Sequence, residues 1–351
     1  MHTSDLAATC LVGMATAMAV HAGTVAVSAL PALPDAHGFA GCFAGVSGNH
    51  LLVFGGANFP DGVMPWDGGK KVWHATVFAL DLAAPAVGWT KLGALPQAVG
   101  YGVSIQTSEG LLLIGGGDAT AHSAATRLLK WAATGPVVSD WARLPVALAS
   151  SCGASCGQRV HLVGGTTGPD AVLASKRHFI LDLAQREQGW VEAAPLPGDG
   201  VMLATALAQG EDFYVAGGCS LHADAAGKPA RTYLKQCWKF ANGTWTQCPD
   251  LPRAAVGAAS PGWAVAGKLV LIGGDDGTQV GGDPRTHHGF CRDLLAYDPV
   301  AEQWSRLAAL ETELPVTLPA VAVAGSYILV SGEIRPGIRT PAVVKLTLPA
   351  P

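Results

Sequence analysis

Six short apolar runs, each closed by a glycine pair or a variant of one, punctuate the chain. They are LLVFGG at 51–56, LLLIGG at 111–116, VHLVGG at 160–165, FYVAGG at 213–218, LVLIGG at 269–274 and YILVSG at 327–332. The first residue of each pair stands at 55, 115, 164, 217, 273 and 331, giving steps of 60, 49, 53, 56 and 58 residues. Each of the first five runs is followed by another strand-like stretch, such as TVFALDL at 76–82 or HFILDL at 178–183, and then by a tryptophan: Trp89, Trp141, Trp190, Trp245 and Trp304. A Leu-Pro step often follows, as at Leu95-Pro96, Leu144-Pro145, Leu196-Pro197 and Leu251-Pro252, and ends the strand before the next unit begins.

Units in phase at this spacing match the kelch period of roughly 50 residues. Each unit reads as one small antiparallel sheet that cannot bury both faces alone and buries them by radial stacking. The fold class is therefore all-β, a six-bladed kelch-type β-propeller. The glycine-ended strands are read as the inner strands lining an axial channel, and the tryptophans as filling the wide outer gaps between blades. The sixth unit ends at Pro351 without an outer tryptophan strand. TVAVSAL at 24–30 precedes Pro31 and Leu33-Pro34 much as outer strands precede Leu-Pro elsewhere, so it is predicted to complete the last blade and remove an open edge. The propeller then occupies 24–351, and residues 1–23 form an extension outside the ring.

Composition narrows the function classes. The net charge is −4 and no lysine or arginine cluster stands out, which argues against extended nucleic-acid binding. Among the eight cysteines only Cys152 and Cys156 are close in sequence, so no four-cysteine zinc site is expected and the thiols read as buried and free. Residues 6–22 are apolar and alanine-rich, yet residues 1–5 carry no Lys or Arg, so the stretch is only weakly signal-like. It holds His21 and makes a poor membrane span, and no other segment looks like one. The location stays open between cytoplasm and periplasm.

Chemistry is sought in the loops that follow the glycine pairs, because these crowd one mouth of the channel. Asn58, Asp118 and Asp276 stand there as substrate-binding candidates, each with turn formation as the competing role. The adjacent His287 and His288 normally diverge, so no metal site is expected. The sixth repeat is irregular. Ser331-Gly332 replaces the glycine pair, and Glu333, Arg335 and Arg339 follow, with Pro336-Gly337 reading as a tight turn that folds Arg339 back toward Glu333. Two roles are open for this loop: a structural salt bridge, or an acid/base carboxylate beside an anion-holding guanidinium, with Arg335 as a further binding candidate.

Three stretches carry a family resemblance: LVSGEIRPGIRT at 329–340, GCFAGVSGNHLLVFGG at 41–56, and 98–116 with Tyr101-Gly102-Val103-Ser104. The chain resembles the bacterial N-acetylneuraminate epimerases, or sialic acid mutarotases, over roughly residues 30–351, and specifically their cyclically permuted relatives. The resemblance implies interconversion of the α and β anomers of N-acetylneuraminate or a related acidic sugar, without cofactor or metal. It implies a catalytic pair made of a glutamate and an arginine six residues later, which falls on Glu333 and Arg339. Glu333 would shuttle the proton and Arg339 would act electrostatically, because arginine stays protonated. Two other readings stand beside it: a non-catalytic kelch binding module, and a copper kelch oxidase, for which the five tyrosines offer few ligands.

Overall fold

Short strands that are apolar along their whole length need cover on both faces, and the chain supplies it with six copies of one sheet. The computed structural model describes residues 25–133 and 135–348. The 1–23 extension lies outside the described residues, as do Thr24 and Cys10. The blades are four-stranded and antiparallel throughout. In blade one the strands run Phe43–Ser47, His50–Phe54, Thr76–Asp81 and Trp89–Ala94, in that spatial order. Blades two to five repeat it from Val103–Thr107, Ala149–Cys156, Thr205–Gln209 and Trp263–Val265. Six buried apolar clusters hold the ring, one between each pair of neighbouring blades. Full burial of a side chain such as Leu51, Leu112 or Leu271 contributes roughly 1.5–3 kcal/mol.

The closure follows expectation. Blade six takes Ala320–Val323, Ser326–Val330 and Val343–Thr347 from the C-terminal end, and Ala26–Leu30 as its outermost strand. The register runs from Ala26 opposite Thr347 to Leu30 opposite Val343. Outer tryptophans tie blades one, four and five to their predecessors. The indole N–H of Trp89 donates to the Pro31 carbonyl at 2.8 Å, that of Trp245 to Ala194 at 2.8 Å, and that of Trp304 to Pro249 at 3.0 Å.

One expectation is corrected. The strands ending in glycine pairs are second from the axis, and the innermost strand of each blade is the one before them. The glycines serve the blade-to-blade joint instead. Gly55 and Gly56 both have positive φ, +58° and +88°, and a Cβ on Gly55 would lie 2.3 Å from the Val99 carbonyl oxygen of blade two. That close approach lets the Gly56 N–H donate to the same oxygen at 2.8 Å. Blades two, three, four and six repeat the bond, through Gly116, Gly165, Gly218 and Gly332.

Around the axis six backbone bonds join the innermost segments. The N–H of Tyr101 donates to the Gly41 carbonyl (2.7 Å), Ser150 to Tyr101 (2.6 Å), Leu203 to Ser150 (2.9 Å), Gly257 to Leu203 (2.8 Å), Thr317 to Gly257 (2.6 Å) and Gly41 to Thr317 (2.8 Å). The six bonds close on themselves. All six residues have φ between +54° and +64°, four of them without being glycine.

All seven described cysteines are free, six of them buried, and burial pushes the Cys42 and Cys152 thiols up to about 12. A buried histidine pair sits between blades three and four. His178 Nδ1 lies 3.2 Å from the Ala194 carbonyl, which only accepts, so Nδ1–H donates there and Nε2 accepts from His161 Nδ1–H at 2.9 Å. Phe213 and Phe240 pack against the two rings. Burial, with the neighbouring His178 and Arg159, brings His161 down to about 3, and burial brings His178 down to about 4. Both rings titrate near 6.5 once unfolded, so below that pH the unfolded chain binds more protons. Stability is therefore expected to fall as pH drops from 6.5 toward 4, by up to ~1.4 kcal/mol per pH unit for each ring, and to show no contribution from them above 6.5. Urea midpoints between pH 7.5 and 4.5 measure this, and His161→Phe should flatten the slope.

Candidate functional site

The residue after each glycine pair is held directly above the axial ring, because it bridges to the residue preceding a ring member. In blade six this is Glu333, whose N–H donates to the Val316 carbonyl at 2.9 Å while the Val316 N–H donates back at 2.8 Å. Thr317 of the ring follows. A short hairpin then rises from blade six, Glu333–Arg335 against Ile338–Arg339, with Glu333 directly opposite Arg339. The Pro336-Gly337 turn folds as the sequence predicts.

Directly opposite residues on a hairpin share a face. Glu333 Oε2 accepts from Arg339 Nη2 at 3.0 Å, and Oε1 accepts from the Gly337 backbone N–H at 3.1 Å. The guanidinium lies 4.8 Å from the Phe59 ring centroid, and its side chain is 3% exposed against 20% for Glu333. Arg339 Nε and Nη1 are buried with no hydrogen-bond partner. Unpaired buried donors on a charged group are costly, which marks this guanidinium as a place where a further acceptor is accommodated.

Ser331 explains the irregular repeat. It occupies the first glycine position at φ +59°, fully buried, and its hydroxyl donates to the Thr340 carbonyl at 2.6 Å while accepting from the Phe39 N–H at 2.7 Å. These bonds fasten the base of the hairpin, next to Arg339, to blade one.

Glu333 and Arg339 line a cavity of about 980 Å³ on one face of the ring. A much smaller space of about 60 Å³ lies on the other face, between the first residues of the innermost strands. Asp118 also lines the large cavity, but its carboxylate accepts from the Thr120 hydroxyl and from the Thr120 and Ala121 N–H groups, which hold it below the usual carboxylate range. Asn58 is not on the cavity wall. It is 1% exposed and braces the loop at 35–38 through the Asp35 carboxylate and the Gly38 carbonyl, while His74 Nε2 contacts its Oδ1 at 2.7 Å. Asp276 is likewise off the wall, capping Thr278, and Arg335 turns away to pair with Glu313 at 3.2 Å. Side chains alternate faces along a strand. Asn58 and Asp276 stand second after their glycine pairs, whereas Glu333 stands first; Asp118, also second, reaches the wall but has its carboxylate tied up in its own turn.

Sequence reasoning passed over Lys71, Arg231, Tyr233 and His122, all on the cavity wall. Lys71 and Arg231 have no carboxylate within 4.0 Å among the described residues. Tyr101, noted in the sequence only within a motif, lines the cavity from its place in the ring. Over blade six the mouth is bridged by the Arg285–Asp67 ion pair at 2.6 Å, which joins loops of blades five and one. Among the described residues no group of three or more His, Cys, Asp or Glu could hold a metal ion, and no helix is long and apolar enough to cross a membrane.

Replacing Ser331 by Ala removes both bonds at the hairpin base and leaves the Phe39 N–H unpaired. A loss of about 1–3 kcal/mol in chemical denaturation is expected, with the site hairpin loosened.

A family model described as N-acetylneuraminate epimerase matches residues 13–136. An N-acetylneuraminate epimerase from Yersinia enterocolitica serotype O:8 is 42% identical over 101 residues, 26% of this chain and 25% of that protein. The one from Haemophilus influenzae strain PittEE is 38% identical over 100 residues, 25% of this chain and 26% of that protein. The chain thus aligns with about a quarter of the length of these curated relatives. A solved structure titled "Structure of YjhT" superposes with a TM-score of 0.66 over 92% of this chain and 97% of that one, at 15% identity, a likeness of fold. Glu333 and Arg339 lie outside the matched 13–136 segment, which holds Phe59, Lys71 and Tyr101. The chain is a kelch-like six-bladed propeller whose residues 13–136 match the N-acetylneuraminate epimerase family model.

Proposed function

We propose that the chain is a mutarotase that interconverts the α and β anomers of N-acetylneuraminate or a related acidic sugar. The observation that carries the reading is the Glu333–Arg339 pair on the cavity wall, with buried, unpartnered guanidinium nitrogens beside a carboxylate.

Anomer exchange passes through the open-chain keto form. The anomeric hydroxyl loses its proton, the bond from the anomeric carbon to the ring oxygen breaks, and that oxygen gains a proton. Rotation of the carbonyl and reclosure on its other face give the second anomer. Glu333 takes the hydroxyl proton and returns it on closure. Arg339 stays protonated, so it contributes charge: its free N–H groups stabilise a sugar oxygen or hold a carboxylate. Lys71 and Arg231 add positive charge to the wall and favour an acidic sugar over a neutral one. The chemistry calls for no cofactor.

The test follows freshly dissolved N-acetylneuraminate by proton NMR. The parent protein should accelerate anomer exchange, and Glu333→Gln should lower the rate about 10²-fold or more with the fold intact. Sugar binding without any acceleration would make the cavity that of a non-catalytic binding module.

A further inference from the structure

Anomer exchange needs two proton-moving groups, and the Glu333–Arg339 pair supplies one. The second has to sit on the same cavity, be able to give a proton, and have a route for replacing it. This inference rests on the mutarotase reading of that cavity.

Tyr101 meets these conditions. It belongs to the axial ring, at φ +59°, where blades one and five place Gly41 and Gly257. The Tyr101 side chain lines the large cavity with Glu333 and Arg339. Its hydroxyl oxygen accepts from Lys71 Nζ at 3.3 Å. The ammonium also lies 5.1 Å from the Tyr101 ring centroid and 5.4 Å from that of Trp73. Two aromatic rings therefore hold the lysine against the phenol. No carboxylate among the described residues competes for it, although Lys71 belongs to a loop of blade one and Tyr101 to the start of blade two.

We propose that Tyr101 and Lys71 form the acid arm of the reaction. As the bond between the anomeric carbon and the ring oxygen breaks, its electron pair goes to the ring oxygen, which takes the Tyr101 hydroxyl proton. Lys71 Nζ passes a proton to the phenolic oxygen. On the other side the anomeric O–H pair becomes the carbonyl bond and its proton goes to Glu333. At the open-chain stage Glu333 holds one extra proton and the Tyr101–Lys71 pair one fewer. Reclosure on either face of the carbonyl reverses every transfer, so the protein is restored and no outside reactant is needed.

Tyr101→Phe and Lys71→Met test the proposal in the full chain, by NMR exchange kinetics alongside Glu333→Gln. Tyr101→Phe keeps the ring and its packing. It should lower kcat by about 10²–10³-fold with KM changed less than about threefold, as loss of a general acid does. Lys71→Met should lower kcat less and alter the alkaline limb of the kcat–pH profile, a readout that lost packing does not move. If Tyr101→Phe keeps the parent kcat while Glu333→Gln loses it, the acid arm is wrong and the mutarotase reading stands. A change confined to KM also overturns the acid arm and leaves Tyr101 as a sugar contact. If the parent shows no acceleration at all, both readings fall.

Discussion

Six backbone hydrogen bonds closed into a ring around the axis set the geometry of everything else in the molecule. Each joins one blade to the next through residues with left-handed backbone, and none depends on a side chain. Closure fixes the number of blades and the height of each innermost strand. The residues just beyond the glycine pairs bridge back to the neighbours of ring members, so their height is fixed as well. Glu333 inherits its position from this chain of backbone bonds, and loop packing has little left to decide. The ring also divides the channel into two unequal spaces and makes a floor for the larger.

The glycine pairs form the next circle outward. Their positive φ values and missing side chains let one blade's backbone approach the next blade's carbonyl. Blade six accepts a serine there and gains a hydroxyl that anchors the hairpin base to blade one. The departure from the repeat is thus a local exchange: a strained serine in return for two hydrogen bonds beside Arg339. A buried arginine paired with a partly exposed glutamate is a weak stabiliser in general. Here it is kept where the surrounding backbone is most tightly held.

Much of this was legible in the sequence because repetition amplifies weak signals. Six glycine-ended runs in phase identify the blades, and an unmatched tail plus an unmatched head identify the closure. The Glu333–Arg339 contact followed from a tight turn between them. Strand order within a blade was not legible, because a strand buried on both faces looks the same in first or second place. Nor was the face of each post-glycine residue, since one residue of register turns a side chain to the other side. Asn58 went to a loop brace and Asp276 to a turn for that reason. Lys71 and Arg231 escaped notice because each comes from a different blade's loop and converges only in the folded ring.

The closing blade also fixes where the polypeptide leaves the disk. Ala26, Thr347 and Ser326 line up at one end of that sheet, and Leu30, Val343 and Val330 at the other, next to Ser331 and the site hairpin. The strand ends at Ala26 and Thr347 therefore lie on the face opposite the cavity. Five strand residues at about 3.3 Å each put some 15 Å of sheet between the points of departure and the site face. A tether attached at the Ala26 or Thr347 strand end itself would hold the disk with its cavity facing outward, open to whatever sugar the surrounding solution brings.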